Sequence, residues 1–406
     1  MQVVHERCSG LDVHKKTVVA CVRTDQGQQT RTYGTVTREL LRLCDWLQQE
    51  RVSAVAMEST GIYWKPVFNL LESLDVELLV VNAQHIKAVP GRKTDVKDAE
   101  WIADLLRHGL LKASFIPDRG QRELRELVRY RRTLIDERSD VVRRIQKMLE
   151  GANIKLGDVA SDVMGVSGRA ILWALAEGQS EPDQLSQLAK TSLRRKRAEL
   201  GLALEGSMGA HQRSMLGRQL RHVEFLEDQI KEVSEEVEER MRPFQAAIER
   251  IDEIPGLGRR SAEAILAEIG VDMSRFPSAK HLCSWARVCP GTNESAGKRR
   301  SGATGKGNPW LRPALVEAAW SASNQKGTYY HALYRRLAAR RGPKRAIVAV
   351  AHALLTAVYY ILRDGVVHRD LGADHFDRLD REAVVRRNVR RLEKLGYHVS
   401  LQPMAS

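Results

Sequence analysis

Apolar and polar positions along residues 9–23, SGLDVHKKTVVACVR, predict a strand, a short turn and a second strand, with β-branched residues gathered in TVVACV. DQG (25–27) is a turn signal, and TRTYGTV returns as a third strand. The period then changes. TRELLRLCDWLQQE (37–50) has helical spacing and a Thr cap candidate. AVAME (54–58) is a short buried strand, STGIYWKPVFNLLESL a capped helix, and VELLVV (76–81) is again continuously apolar. DVKDAEWIADLLRHG closes the series as a helix ending at Gly109. The order β-β-β-α-β-α-β-α predicts an α/β domain over residues 1–115, a mixed sheet flanked by helices.

Beyond 115 the pattern is helical. RELRELVRYRRTLIDERSDVVRRIQKMLE is a long, very basic amphipathic helix. Residues 150–210 are weakly patterned, and LRRKR (193–197) reads as a linker or an RNA-facing patch. From 214 to 242 apolar residues recur at 216, 220, 223, 226, 230, 233, 237 and 241, which fits a coiled-coil or bundle helix. An antiparallel hairpin within the chain and a zipper between chains satisfy this spacing equally. These segments make up a region, 116–247, of basic helix, linker and coiled coil.

A mainly α C-terminal domain is expected over 248–365. It begins with IERIDEIPGLGRRSAEAILAEIG (248–270), a helix-hairpin-helix-like element. Gly256 and Gly258 would let backbone N–H groups approach a phosphate near a helix N-terminus, although any helical hairpin can turn at such glycines. AIVAVAHALLTAVYYIL (346–362) is shorter than the roughly 20 residues needed to cross a bilayer. It contains His352 and reads as a buried core helix, so no membrane partner is expected. Residues 366–406 form a charged, helical tail.

Charge narrows the partners. The 406 residues hold 65 Lys and Arg against 51 Asp and Glu, a net charge of +14. That balance favours a polyanion, nucleic acid before membrane. The basic helix, with Arg131, Arg132, Arg143 and Arg144, and the run Arg194, Arg195 and Lys196 are the expected RNA or DNA surfaces. Five scattered cysteines form no CxxC pair, which suggests neither a zinc site nor a disulfide framework and fits a reducing cytoplasm. MQVVHERCSG contains no run suited to a signal peptide.

Four acids take positions on this frame. Asp12 lies in the first strand, Glu58 ends AVAME, and Asp95 and Asp98 lie at i and i+3 on one helix face. Singly, each has an ordinary explanation: a turn cap for Asp12, an N-cap for Asp95. Together, on this topology, they suit Mg²⁺ or Mn²⁺, which takes hard oxygen ligands and serves phosphoryl transfer. Further on, CPGTNESAGKRRSGATGKGNPWLRPAL (289–315) suits a loop gripping a phosphate backbone with Lys298, Arg299, Arg300 and Lys306. It is not a P-loop, because Ala303 follows Gly302 where Gly-Lys-Ser/Thr would be needed.

The strings GLDVHKK, MESTGIYWKPV, VNAQHIKAVPGRKTDVKDAEWIADLL and IPGLGRRSAEAILAEIG resemble the DEDD-type insertion-sequence transposases, the bridge-RNA-guided serine recombinases. The resemblance covers most of residues 8–115 and 250–365. It implies an RNase H/RuvC-like N-terminal domain, similar to the Holliday-junction resolvases, whose four acids match Asp12, Glu58, Asp95 and Asp98. It also implies a nucleophilic serine five residues after a proline, here Ser295 after Pro290, with Ser301 as a second candidate. A composite site of serine and acids, donor and target DNA, a structured guide RNA and a dimer or tetramer are further implications. Such an enzyme would excise and insert its element through a phosphoserine link and need no ATP. Two rivals stay open: a metal-dependent junction resolvase or nuclease that needs no serine, and a non-catalytic nucleic-acid-binding protein.

Overall fold

The computed structural model describes residues 2–59, 61–82, 98–290, 293–295, 298–301, 304–305 and 307–402, with the backbone alone for 293–295 and 298–301. The chain divides into two compact units, Met1–Pro117 and Asp118–Ser406.

The first unit holds β1 (Cys8–Val13), β2 (Thr17–Thr24), β3 (Gly27–Gly34), α1 (Thr37–Gln49), β4 (Ala54–Glu58), α2 (Trp64–Leu71), β5 (Glu77–Val81) and α3 (Asp98–Arg107). Its sheet has the order β3-β2-β1-β4-β5. β1 runs antiparallel to β2 and parallel to β4, and β5 is parallel to β4, so the sheet is mixed as the pattern predicts. The helix starts differ from expectation. Thr37 is already helical behind an N-cap at Val36, and α2 begins only at Trp64; neither start has a side-chain cap.

The period of two along each strand sorts the residues between two cores. Leu11, Val13, Val55 and Met57 pack with Leu43 and Leu47 of α1 and Val67 and Leu71 of α2. Cys8, Ala54, Ala56, Leu79 and Val81 turn to the other face, against Ile102, Leu105 and Leu106 of α3. α3 lies very close to β1: a Cβ on Gly10 would sit 2.3 Å from both the Ala103 N and the Ala99 O. Only glycine, faced by two alanines one helical turn apart, permits that approach.

In the second unit α4 (Arg119–Gly151) and α6 (Ala210–Met241) pair along their lengths, with α5 (Val166–Glu177) and shorter helices between them in sequence. Arg240 near the end of α6 reaches Glu123 near the start of α4, and Arg138 reaches Glu227, so the two run antiparallel. The heptad-like stripe is therefore satisfied inside one chain: Leu216, Leu220, Val223 and Leu226 share a core with Leu134, Val141, Ile145 and Leu149. Residues 150–210 are no open linker. Ile154, Leu156, Ile171, Leu172, Leu185, Leu200 and Leu204 fill the same core.

The unit continues with α7 (Gln245–Asp252), α8 (Arg259–Ile269), α9 (Ala279–Trp285), the two-stranded sheet β6 (Asn293–Ser295) and β7 (Lys298–Ser301), then α10 (Leu311–Asn324), α11 (Tyr329–Arg341), α12 (Pro343–Asp364) and α13 (Arg381–Lys394). At 22 residues α12 is longer than its apolar run and long enough to span a bilayer, but half of its most apolar window is buried within the unit. Val350, Leu354, Leu355 and Val358 are fully covered, the pattern of a core helix.

Candidate active site

Alternation in β1 puts Gly10 and Asp12 on the α3 face, and alternation in β4 puts Ala56 and Glu58 on that face too. β1 and β4 are parallel with Leu11 beside Met57, so Asp12 and Glu58 are neighbours one residue further on, at the carboxyl ends of both strands. In open α/β sheets this edge is the usual place for ligand chemistry. The Gly10 contact then sets the first turn of α3, which begins at Asp98, near the same edge.

The electrostatics register this meeting. Burial pushes the Asp12 carboxyl above the ordinary carboxylate range; the His14 contact opposes the shift, while the charges of Asp98 and Glu58 add to it. His14 Nε2 lies 3.0 Å from Asp12 Oδ2. The two residues are spaced i, i+2, so the strand's own geometry aligns them, a signal present in LDVH that spacing alone could have shown. Asp12 is the more enclosed partner, with 21% of its side chain exposed against 59% for His14.

Asp95 lies outside the described residues. Among the described residues no three His, Cys, Asp or Glu side chains gather closely enough to enclose a metal ion. The donor chemistry of Asp12, Glu58 and Asp98 nevertheless suits a hard divalent cation, which would offset both the burial that chiefly raises the Asp12 carboxyl and the smaller repulsion from Asp98 and Glu58.

The segment expected to be a phosphate-gripping loop contains an antiparallel strand pair in which Ser295 is in register with Lys298 and Glu294 with Arg299. Lys306 lies outside the described residues, as do the side chains of Ser295, Lys298, Arg299, Arg300 and Ser301. Just downstream the backbone is tied down. Arg312 donates to the Gly305 carbonyl and the Thr304 hydroxyl, each at 2.7 Å. Asn308 donates to buried Glu268 at 2.7 Å and accepts from the Trp310 and Leu311 N–H groups.

The expected nucleic-acid residues separate into groups. Arg131 does not face solvent: it is 5% exposed and its guanidinium pairs with Glu263 at 2.7 Å. Arg132 holds Glu317 in a two-pronged contact at 2.7 and 2.9 Å. Arg143 is exposed but paired with Asp140, and Arg144 is exposed. Arg194, Arg195 and Lys196 are exposed on a short 3-10 turn. Gly256 meets a packing need. Its φ is +87°, and a Cβ there would meet Ala322 N at 2.4 Å and Ala318 O at 2.6 Å, so it lets the turn lie against α10. Gly258 is the exposed N-cap of α8.

Comparison with known proteins finds family matches over two separate stretches of the chain. Residues 9–154 match a transposase profile of the IS110 DEDD type, and residues 248–335 match the transposase IS116/IS110/IS902 family. The chain is 26% identical over 303 residues to the 43.6 kDa protein of insertion element IS110 from Streptomyces coelicolor, covering 69% of this chain and 73% of the relative. It is 24% identical over 361 residues to y4qE of Sinorhizobium fredii, named as a candidate transposase, covering 87% and 81%. A pilin gene-inverting protein of Moraxella bovis is 32% identical over 113 residues, 27% of this chain and 35% of the relative.

Proposed function

Because this chain belongs to the IS110 family of transposases and is a DNA transposase/recombinase, we propose that it cuts and rejoins DNA at an insertion element's ends, using Asp12, Glu58, Asp95 and Asp98 as a metal-binding acid set. One observation carries the reading: Asp12 and Glu58 end the neighbouring parallel strands β1 and β4, and the charges of Glu58 and Asp98 reach Asp12, whose carboxyl burial raises above its ordinary value. The relative named for inverting a pilin gene supports it too, since inversion also breaks and rejoins DNA strands.

Mg²⁺ or Mn²⁺ held by these acids would stabilise charge on the scissile phosphate and the leaving oxygen. The chain's own part is to hold the acids. β1 and β4 fix Asp12 and Glu58, the Gly10 contact fixes α3, and His14 orients the Asp12 carboxylate. In the finer form of the proposal Ser295 attacks the phosphorus, a phosphoserine ester forms, and the DNA hydroxyl leaves; return of that reaction on a second strand completes the exchange. A structured guide RNA selecting donor and target belongs to the same form, with Arg194, Arg195 and Lys196 as its surface, and so does a dimer or tetramer.

The test separates the parts. Asp12→Asn should abolish recombination while leaving the fold intact; recombination at a near wild-type rate would make the acids structural. Ser295→Ala should remove both recombination and any DNA-linked protein band on a denaturing gel, whereas Ser301→Ala should keep the band. Cleavage without a covalent band in the wild type would instead favour water as the nucleophile, the resolvase-like alternative.

A further inference from the structure

Between Glu317 and Asp364 the chain contains no carboxylate, yet it carries Arg340 and Arg341 at the end of α11 and Lys344 and Arg345 at the start of α12. The two helices meet at a corner where Gly342 adopts φ +82° with open space around it, so four cations fall within six residues of a sharp turn. All four side chains are exposed, and none makes an ion pair among the described residues. Arg336, one turn earlier, is set apart, because its guanidinium lies 5.0 Å from the centre of the Phe376 ring.

The placement of Lys344 and Arg345 runs against helix stability. A helix start carries partial positive charge and free N–H groups, so acids are favoured there and cations are not. The first turn of α12 has no acid, and Pro343 opens it. Arg340 and Arg341 answer the negative end of α11, whereas Lys344 and Arg345 add their charge to the positive end of the 22-residue α12. Exposed cations at a helix start, where they cost stability, are a local rule broken in the way functional sites break it.

The geometry points to this corner as a docking site for the phosphate backbone of duplex DNA. A backbone, rather than a single phosphate, fits because four exposed cations are spread over six residues around Gly342, which faces open space. Duplex DNA is the polyanion a transposase must hold while its acids act. The N–H groups of Lys344 and Arg345, in the first turn of α12 where a helix has no partner for them within itself, add directional donors to the four charges.

The measurement is fluorescence anisotropy of the full chain with a labelled DNA duplex, without divalent cation and in an Asp12→Asn background, so that loss of cleavage chemistry cannot affect the result. Replacing Arg340, Arg341, Lys344 and Arg345 together by Gln should weaken binding at least tenfold. It should also lower the magnitude of the log K against log salt slope by about three to four, roughly 0.9 for each phosphate that is no longer neutralised. The lysine variant R340K/R341K/R345K should restore most of the slope, which a folding defect would not allow. Arg132→Gln should change the slope by less than about one. An unchanged slope in the quadruple Gln variant overturns the proposal. So does a loss confined to duplex RNA, which would make RNA the occupant.

Discussion

Two regions of the second unit look alike in the sequence and differ in space: the basic helix α4 and the corner between α11 and α12. Both are dense in arginine. In α4, however, Arg125 and Arg129 hold Glu268, Arg131 holds Glu263, Arg132 holds Glu317 and Arg138 holds Glu227. Those carboxylates come from α6, α8 and α10, far along the chain, and two of them are almost fully buried. At the corner no carboxylate arrives from the described residues. Positive residues counted along a sequence therefore measure potential only when the acids folded against them are counted too. Arginine in α4 acts mainly as internal cement, and arginine at the corner is left for a partner.

The comparison is tested most sharply by removing one acid. Glu268→Ala would leave Arg125 and Arg129 facing a largely dry site without their counter-charge, and Asn308 without its acceptor. Breaking a buried pair from one side typically costs about 3–5 kcal/mol, so the urea midpoint should fall steeply. Removing both members of a pair should cost far less. Arg131→Met with Glu263→Leu should recover most of the loss seen with either change alone, because no uncompensated charge stays buried. If the single variants unfold no earlier than the wild type, α4 is not cemented in this way.

At the corner the sign should reverse. Lys344→Gln with Arg345→Gln removes cations from a helix start, so the unfolding midpoint should stay level or rise by roughly 1–2 °C. Thermal unfolding of the full chain measures it. A fall comparable to that of Glu268→Ala would mean that the corner cations are structural after all.

How far the sequence foretold this depends on the range of the interaction. The mixed sheet was legible because alternation and strand order are local: LDVH and AVAME already place Asp12 and Glu58 at the ends of its strands. Gly10 and His14 belong to the same strings and escaped notice, although one admits α3 and the other contacts Asp12. The burial of Arg131 was not legible, since Glu263 lies 132 positions away and nothing in the α4 sequence announces it. Residues 150–210 looked unpatterned because, apart from α5, their α-helices run only four to seven residues, yet they fill a core. Gly256 suggested a phosphate glycine because a turn glycine shows its flexibility in sequence, while its neighbour, α10, appears only in the fold.

A third arrangement extends the comparison: a buried polar group with no partner. His352 lies in the middle of α12, and its Nδ1 is buried without a hydrogen bond among the described residues. Burial lowers its pKa below the ordinary 6.5. The unfolded chain therefore binds a proton at His352 more readily than the folded one. Its contribution to stability is fully present above pH 6.5 and is lost as pH falls from there through the lowered folded value. Unfolding midpoints measured from pH 7.5 down to about 5 should decline in the wild type. His352→Gln, which cannot titrate, should decline less over the same interval, while at pH 7.5 the two should differ only by a pH-independent offset. His368 is shifted in the same direction by its own burial, so part of the decline should survive in the variant. Parallel curves for wild type and variant would show that His352 is protonated as easily in the fold as outside it. The difference should be the smallest of the effects argued here, because one neutral imidazole is at stake rather than a network of charges.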